Sequence, residues 1–306
     1  MTRLPDFLII GAARAGTTAL HSYLRQAPDV FMPDAKEPNF FAYEGQTLAV
    51  KGPGAGFINN SLTRLEDYAA LFAGAPDGAI CGEASPLYLY EPTAPGNIHR
   101  HIPDARLVAI LRNPVEQAFS HFLYASRLSV ETLDSFTDAL GREAERRAQG
   151  WQPLFGYSAF PRYGEQLARY FALFPREQFL IRTYDEFEQS PESVVTDILA
   201  FIGADARFVP DMSQRLNAGA VPKSRIIQDF LMKPNPVTGA VGLVVPERTR
   251  RRIRDWLAKF NETSGTSMPP AARAILHERL DEDIRRLEDL IGRDLSAWRR
   301  PETVRS

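Results

Sequence analysis

The chain has 306 residues, of which 44% are hydrophobic and 24% charged, and this size suits one large α/β domain or two small ones. Its formal net charge of −2 gives no general attraction to nucleic acid, and its single cysteine, Cys81, excludes an internal disulfide. No segment approaches the ~18 apolar residues of a membrane span. We therefore expect a cytoplasmic protein without nucleic-acid partners and without stable membrane insertion.

The predicted strands and helices alternate along the chain. Residues 6–10 are uniformly apolar, as in a strand buried on both faces, and from Gly16 the apolar positions recur at helical spacing as far as Pro28. The alternation predicts an α/β fold with a central parallel sheet covered on both faces. Further strands are predicted at 79–83, 106–111 and 178–182, and further helices from Pro114 and near 163–172, 191–203, 247–260 and 269–291.

Ligands of open α/β sheets bind at the carboxyl ends of the strands. Gly11, Glu83 and Arg112 fall at such ends, so the sequence predicts that these residues share one edge of the sheet. Two loops rich in glycine and proline, 44–64 and 233–246, are either borders of a substrate mouth or plain connections.

The loop after the first strand has the features of a phosphate cradle. Gly11, Gly16 and Thr18 match the spacing G-x-x-x-x-G-K-[ST], but Thr17 stands where nucleoside triphosphatases have a lysine. Small residues let phosphate oxygens approach backbone N–H groups, the start of the next helix attracts anions, and Arg14 adds a full charge. The alternative is a tight turn without a ligand.

A second candidate anion-binding group follows the strand at 106–111. Arg112 ends this buried strand, where a charge is costly unless it meets an anion, and Ser120 lies eight residues further on in the next helix. A guanidinium and a hydroxyl in this arrangement suit one phosphate group. The alternative is a structural ion pair for Arg112 and a surface position for Ser120.

Together, these motifs resemble those of the sulfotransferases that use 3′-phosphoadenosine 5′-phosphosulfate (PAPS). A strand leads into G-x-x-[KR]-x-G-T-T, and a later strand ends in R-[ND]-P, with a serine eight residues after the arginine. Residues 36–41 (KEPNFF) and 82–88 (GEASPLY) resemble motifs of the heparan-sulfate branch of that family. Residues 292–298 (GRDLSAW) resemble the closing segment of bacterial members.

The resemblance implies a single sulfotransferase domain over residues 1–306. The implied fold is a P-loop-like, three-layer αβα arrangement, with an α/β core at about 5–205 and a helical C-terminal part at about 206–300 packed on it. PAPS is the implied sulfate donor, adenosine 3′,5′-bisphosphate (PAP) is the product, and no metal takes part. The implied donor-binding residues are Ala13, Arg14, Ala15, Gly16, Thr17 and Thr18 for the phosphosulfate, Arg112 and Ser120 for the 3′-phosphate, and Lys223 and Arg225 from a later stretch.

The resemblance also implies three catalytic residues. Arg14 stands where the family usually has a lysine, and it would stabilise the leaving phosphate electrostatically. Glu37 is the candidate general base, with a pKa expected to be raised by burial among Phe40 and Phe41. Lys36 contacts the sulfonate or the bridging oxygen, unless it only forms a salt bridge with Glu37.

The implied acceptor site differs from that of the polysaccharide-modifying members. Glu83, a second candidate base, and Phe40 are the implied acceptor-binding residues. Asn39 and Ala84 replace a histidine and a lysine that flank the acceptor in those members. We therefore expect the acceptor to be a hydroxyl, or less readily an amine, of a small molecule, a lipid or a saccharide.

Two other functions are compatible with the motifs. A P-loop small-molecule kinase is disfavoured by Thr17 and by the lack of an acidic magnesium partner after an apolar strand, and a non-catalytic nucleotide-binding module is the other alternative. The five histidines are further candidate bases, but no motif surrounds them, and His99 and His101 lack a third metal ligand at useful spacing. The basic cluster 248–254 is expected to be a solvated face, or else a contact for an anionic acceptor or a membrane surface.

Overall fold

The computed structural model describes residues 3–213, 221–222, 262–263 and 267–300. Its centre is a sheet of five parallel strands in the order β2-β3-β1-β4-β5. These strands are β1 Phe7–Gly11, β2 Val30–Phe31, β3 Ile80–Ala84, β4 Arg106–Leu111 and β5 Phe179–Thr183. A separate antiparallel pair is formed by β6 Val221–Pro222 and β7 Glu262–Thr263.

The described part of the chain contains the following helices. Before β4 they are α1 Thr17–Leu24, α2 Phe40–Tyr43, α3 Gly56–Asn59, α4 Leu65–Ala70, α5 Leu87–Tyr90 and α6 Ala94–His101. After β4 they are α7 Pro114–Arg127, α8 Phe136–Gly141, α9 Glu143–Ala148, α10 Tyr163–Phe171, α11 Tyr184–Gln189, α12 Pro191–Ile202, α13 Pro270–Ile291 and α14 Ser296–Arg299. Two short 3₁₀ turns lie at Pro153–Phe155 and Arg176–Gln178. Within the described residues, no helix has both the length and the hydropathy to cross a bilayer.

The sheet is covered on both faces, as the sequence predicts. Successive residues of a strand point to opposite faces, and all five residues of β1 are buried. Strands β1 and β3 pack so closely at Gly82 that only glycine fits there. A Cβ on Gly82 of β3 would lie 2.1 Å from the Phe7 ring of β1. Helices therefore pack on both sides and give the three-layer αβα arrangement.

The four predicted strands are confirmed to within one residue at each end, and the main predicted helices in the described residues are also present. The sequence prediction missed the edge strand β2 and most helices of four to eight residues. Such elements carry too few apolar repeats to establish a period, and tertiary packing decides them. The region 44–64, expected to be a loop, contains the one-turn helix α3.

The C-terminal helix α13 packs on α10 of the α/β core. The Asp283 carboxylate accepts the backbone N–H groups of Gly164 at 2.9 Å and Glu165 at 2.8 Å, and so caps the start of α10. Beyond α13, Arg293 pairs with Glu186 of α11 at 2.9 Å. Predictions for Lys223, Arg225, the loop 233–246, the helix 247–260 and the basic cluster 248–254 lie outside the described residues.

Candidate active site

The carboxyl ends of the inner strands bring the predicted motifs together. β1 lies between β3 and β4, so the chain segments that follow these three strands meet at one edge of the sheet. The backbone N–H of Glu37 donates to the Ala84 carbonyl at 3.2 Å, and Arg112 Nη1 donates to the Arg14 carbonyl at 3.2 Å. The expected convergence of Gly11, Glu83 and Arg112 at one edge is therefore observed.

The loop between β1 and α1 has the backbone of an anion cradle. Gly16 has a φ of 85°, and a Cβ there would lie 2.7 Å from the Phe187 ring, so only glycine fits. Arg14 has a φ of 64°, which is unusual for a non-glycine residue and marks a strained position. α1 begins at Thr17 without a side-chain cap and without an acidic residue in its first turn. Its first N–H groups are thus left for an anionic ligand.

Arg14 is held by α7, which carries the second motif. Its Nε lies 3.5 Å from Ser120 Oγ, and its guanidinium lies 4.5 Å from the centre of the Tyr124 ring. Burial, followed by the positive charge of Arg127, lowers the pKa of Arg14 below its ordinary value. Within the described residues Arg14 has no carboxylate partner. A cation that is partly buried, unpaired and close to other cations suits an anionic ligand.

Arg112 also contacts the loop and packs against a tyrosine ring. Its guanidinium stacks over the Tyr184 ring at 4.7 Å, and it forms no ion pair with any described residue. The following Asn113 caps α7 by accepting the Val115 N–H at 3.0 Å, and this cap sets the direction of the helix. Among the residues that the structure describes, Arg112 therefore has no carboxylate partner.

Sequence reasoning missed the aromatic residues that hold both arginines. Tyr124 lies one helical turn after Ser120, and this i, i+4 spacing was the available signal that both face Arg14. Tyr184 begins α11 just after β5, so its position at a strand end was a weaker signal. Its stacking on Arg112 depends on how β5 is placed beside β4.

Lys36 and Glu37 form an ion pair with each other. The side chain of Glu37 is 49% exposed, so the expected burial among Phe40 and Phe41 is wrong. Both phenylalanines are fully buried in the core, and Phe40 stacks on Tyr68 at 4.6 Å. α2 turns its rings inward while the left-handed backbone at Glu37, with a φ of 59°, leaves the carboxylate at the surface. Phe40 is thus a core residue and does not line the cleft described below.

Glu83 has the buried environment that Glu37 lacks. It is 1% exposed and accepts hydrogen bonds from Ser85 Oγ at 2.9 Å and Tyr68 Oη at 3.2 Å. Burial raises the pKa of Glu83 to about 7, although these hydrogen bonds act in the opposite direction. Ser85 Oγ in turn accepts the Asn39 N–H at 3.2 Å. Through Ser85, Glu83 therefore anchors the segment that carries Glu37. Glu83 itself is not among the described residues that line the cleft.

A cleft of about 470 Å³ connects the cradle with Lys36 and Glu37. The predicted loop 44–64 borders it through Phe57 and Ile58. Its charged and hydroxyl-bearing lining consists of Arg14, Thr17, Thr18, Lys36, Glu37, Tyr124 and Arg127, and the rest consists of Ala13, Asn39, Phe57, Ile58, Pro86, Leu87, His121, Gln152, Pro153, Leu154 and Phe160. Arg112 and Ser120 are absent from this lining. Both contact Arg14, which lines the cleft.

One histidine, His121, lines the cleft. It is 2% exposed, and burial, followed by the charge of Arg14, lowers its pKa to about 3. His121 is therefore neutral at physiological pH. In the described ranges no group of three or more His, Cys, Asp or Glu side chains is arranged to hold a metal ion.

Comparisons with known proteins agree with these motifs. A family model described as "Sulfotransferase family" matches residues 5–207. Heparan sulfate glucosamine 3-O-sulfotransferase 6 of Homo sapiens is 32% identical over 277 residues, which cover 85% of this chain and 70% of that protein. Heparan sulfate glucosamine 3-O-sulfotransferase 3B1 of Homo sapiens is 26% identical over 266 residues, which cover 85% of this chain and 62% of that protein.

A solved structure extends the similarity to the whole chain. The crystal structure of a sulfotransferase from Alicyclobacillus acidocaldarius matches with a TM-score of 0.74 and 33% identity, over 97% of this chain and 100% of that one. The family match covers the cradle, the Glu37 segment and the Arg112 motif, which are also the segments that meet at the cleft. The chain belongs to the sulfotransferase family.

Proposed function

We propose that this protein transfers a sulfuryl group from PAPS to an acceptor hydroxyl, or less readily to an amine. The observation that carries the proposal is that Arg14 and Arg112, which have no carboxylate partner among the described residues, lie next to an uncapped helix start. PAPS carries two separate anionic groups, and the residues present fit both. Arg14, Thr17, Thr18 and the first turn of α1 suit the phosphosulfate, and Arg112 with Ser120 suits the 3′-phosphate.

The remaining donor contacts are assigned on the family pattern. Ala13, Ala15 and Gly16 supply backbone to the cradle, where small side chains leave room for phosphate oxygens. Lys223 and Arg225 would add charge near the 3′-phosphate. The donor supplies the sulfuryl group and a phosphate leaving group, so the protein has to neutralise charge and position the two reactants.

Arg14 is proposed to stabilise the transition state. When the acceptor oxygen bonds to sulfur, the bond between sulfur and the bridging oxygen breaks, and negative charge develops on the departing phosphate. Arg14 places a permanent positive charge in the cradle, close to the hydroxyls of Thr17 and Thr18. Arginine does not give up its proton near neutral pH, so its role is electrostatic.

Glu37 is proposed to take the acceptor proton. Its carboxylate lies on the same cleft as Arg14 and is accessible to a bound acceptor, whereas Glu83 is buried. Lys36 holds this carboxylate in the ion pair and is proposed to contact the transferred sulfonate, which the shared cleft would allow. His121 remains an alternative base because it is neutral and lines the cleft.

Replacing Glu37 with glutamine tests this assignment. We expect Glu37→Gln to lower turnover by about 10²- to 10⁴-fold, the usual contribution of a positioned base, and to change PAP affinity by less than about twofold. Turnover is measured as transfer of labelled sulfate from PAPS to a panel of phenols and glycosides. Glu44→Gln, in a side chain outside the cleft, is the control. Undiminished turnover in Glu37→Gln would overturn the base assignment and direct attention to His121.

Ligand preference tests the function itself. Calorimetry is expected to show binding of PAP and no binding of ATP with magnesium, because Thr17 replaces the P-loop lysine. The opposite preference would favour a small-molecule kinase. PAP binding without transfer to any acceptor of the panel would instead favour a non-catalytic nucleotide-binding module.

A further inference from the structure

The described lining of the cleft carries few charged side chains. Of its described lining, only Arg14, Lys36, Glu37 and Arg127 are ionised, since His121 is neutral. Lys36 and Glu37 compensate each other, and Arg127 lies 5.7 Å from the same Tyr124 ring that Arg14 stacks on. The positive charge is therefore concentrated at the cradle, where the donor anion is expected.

The uncharged part of the lining contains buried hydrogen-bonding atoms without partners. The amide of Gln152 donates its Nε2 to the Pro53 carbonyl, which fixes the amide orientation, and its Oε1 has no donor. Asn39 donates Nδ2 to Ser61 Oγ at 3.1 Å, and its Oδ1 also has no donor. Both residues are at least nine-tenths buried. A buried acceptor without a donor is unfavourable, so two such atoms in residues that line one cleft favour a ligand that donates hydrogen bonds.

His121 adds a third atom of this kind. Its Nδ1 is buried without a partner, and Phe160 packs edge-on against the ring at 4.5 Å. Because all three atoms belong to neutral groups, they select for hydroxyl or amide donors and provide no charge for a carboxylate or sulfate.

The same part of the cleft also has apolar walls. Ile58, Leu87 and Leu154 line it, and Phe57 at its border exposes 54% of its surface. An exposed aromatic ring next to buried hydrogen-bond acceptors suits a ligand with an apolar group and several hydroxyls.

We propose that the acceptor is an uncharged, hydroxyl-rich compound with an apolar group, of the class of neutral glycosides, rather than a polyanionic sugar. The proposal rests on the proposed function and narrows its substrate class. A polyanion would need several cations beyond those used for the donor, and besides Arg14 the described lining has only Arg127 and Lys36, of which Lys36 is paired with Glu37.

A matched pair of ligands tests the acceptor class. p-Nitrophenyl β-D-glucoside and p-nitrophenyl β-D-glucuronide share the aromatic group and the ring and differ in one carboxylate. Calorimetry on the PAP-loaded protein is expected to give at least about tenfold tighter binding of the glucoside. Equal or tighter binding of the glucuronide, or no binding of the glucoside and of its galactoside counterpart, would contradict the proposal. Absence of PAP binding would reject the proposed function instead.

Two variants show whether the named side chains select the ligand. Gln152→Ala is expected to weaken glucoside binding by about fivefold or more and to leave PAP affinity unchanged. Leu154→Lys, at a half-buried position, is expected to shift the preference toward the glucuronide by at least about tenfold. Val209→Ala, at a residue 67% exposed and outside the cleft, is the control. If Gln152→Ala does not fold, an unchanged preference in Leu154→Lys still overturns the proposal.

Discussion

Two groups of arginines in this protein have opposite surroundings. Arg146, on α9, is 5% exposed and donates both terminal nitrogens to Glu131, each at 2.7 Å. Glu131 also accepts the Tyr157 hydroxyl at 2.6 Å. Arg14 and Arg112 have aromatic rings and carbonyl or hydroxyl groups around them, but no carboxylate among the described residues.

The difference separates a cation that supports the fold from two cations that we propose to bind a ligand. A buried ion pair with complete hydrogen bonding compensates its own charges, so Arg146 requires nothing further. Burial, with smaller contributions from the charges of Arg127 and Arg112, lowers the pKa of Arg14 below its ordinary value. Keeping such charges together without an acid is favourable only when an anion binds between them.

The largest effect expected is loss of stability when the Arg146 pair is broken. Arg146→Met leaves the Glu131 carboxylate buried without its cation and should lower the free energy of unfolding by about 3–5 kcal/mol. Denaturant unfolding measures this change. The double variant Arg146→Met/Glu131→Leu should recover part of the loss because both charges are removed. A loss below about 1 kcal/mol in the single variant would remove the contrast between the two groups.

Arg14→Ala should instead lower activity and leave stability nearly unchanged. Turnover is expected to fall by about 10²- to 10³-fold, the usual effect of losing a charge aimed at the leaving group, while thermal stability stays close to that of the wild type. Arg14→Lys, which retains the charge, should keep turnover within about tenfold. Steady-state kinetics beside a melting curve separate the two effects, and a large fall in melting temperature would class Arg14 with Arg146.

Glu83 is an intermediate case, because it is buried and hydrogen-bonded but has no cationic partner in the described part of the chain. Its pKa is raised by burial from 4.5 to about 7, so the folded state binds the proton more tightly than the unfolded state does. The stabilisation is complete below about pH 4.5 and is lost as the pH rises to about 7. Relative to Glu83→Gln, the wild type should therefore lose about 3 kcal/mol of stability across this range. Parallel stability profiles for the two proteins would contradict the raised pKa.

The smallest effect is expected from replacing Arg112 or its neighbour in the motif, Ser120. Arg112→Ala should weaken PAP binding by about 10- to 100-fold, since a hydrogen bond to a charged group contributes about 1.5–3 kcal/mol. Ser120→Ala should weaken it by less than about tenfold, because a neutral hydroxyl is lost. Calorimetry at two salt concentrations measures both, and the salt dependence should decrease only in Arg112→Ala. Unchanged affinity in Arg112→Ala would place the 3′-phosphate elsewhere.

The main strands of the sheet and the cradle of the candidate site follow from local sequence patterns. The sequence predicts strands at 6–10, 79–83, 106–111 and 178–182 from short, mainly apolar runs, and the observed strands lie within one residue of these bounds. The cradle was predicted because its requirements, which are spaced glycines and a helix start, are satisfied within a few residues of each other.

The acceptor side of the site was predicted less well. Phe40 was expected at the substrate and lies in the core, and Glu37 was expected to be buried and is half exposed. Both residues belong to a six-residue motif, and the one-turn helix α2 and the left-handed residues Glu37 and Asn39 decide which side chain faces outward. No periodicity can be established over so short a segment.

By itself, the sequence determined the alternation of four main strands with the longer helices, the cradle at residues 11–18 and the absence of a P-loop lysine at Thr17, because these depend on neighbouring residues. Only the tertiary structure decided which charges are paired. Arg14 and Ser120 are 106 positions apart, and Arg146 and Glu131 are 15 apart. Whether an arginine meets a carboxylate or a tyrosine ring depends on distances that the packing of helices on the sheet creates. That packing makes Arg146 part of the fold and leaves Arg14 and Arg112 available for an anion.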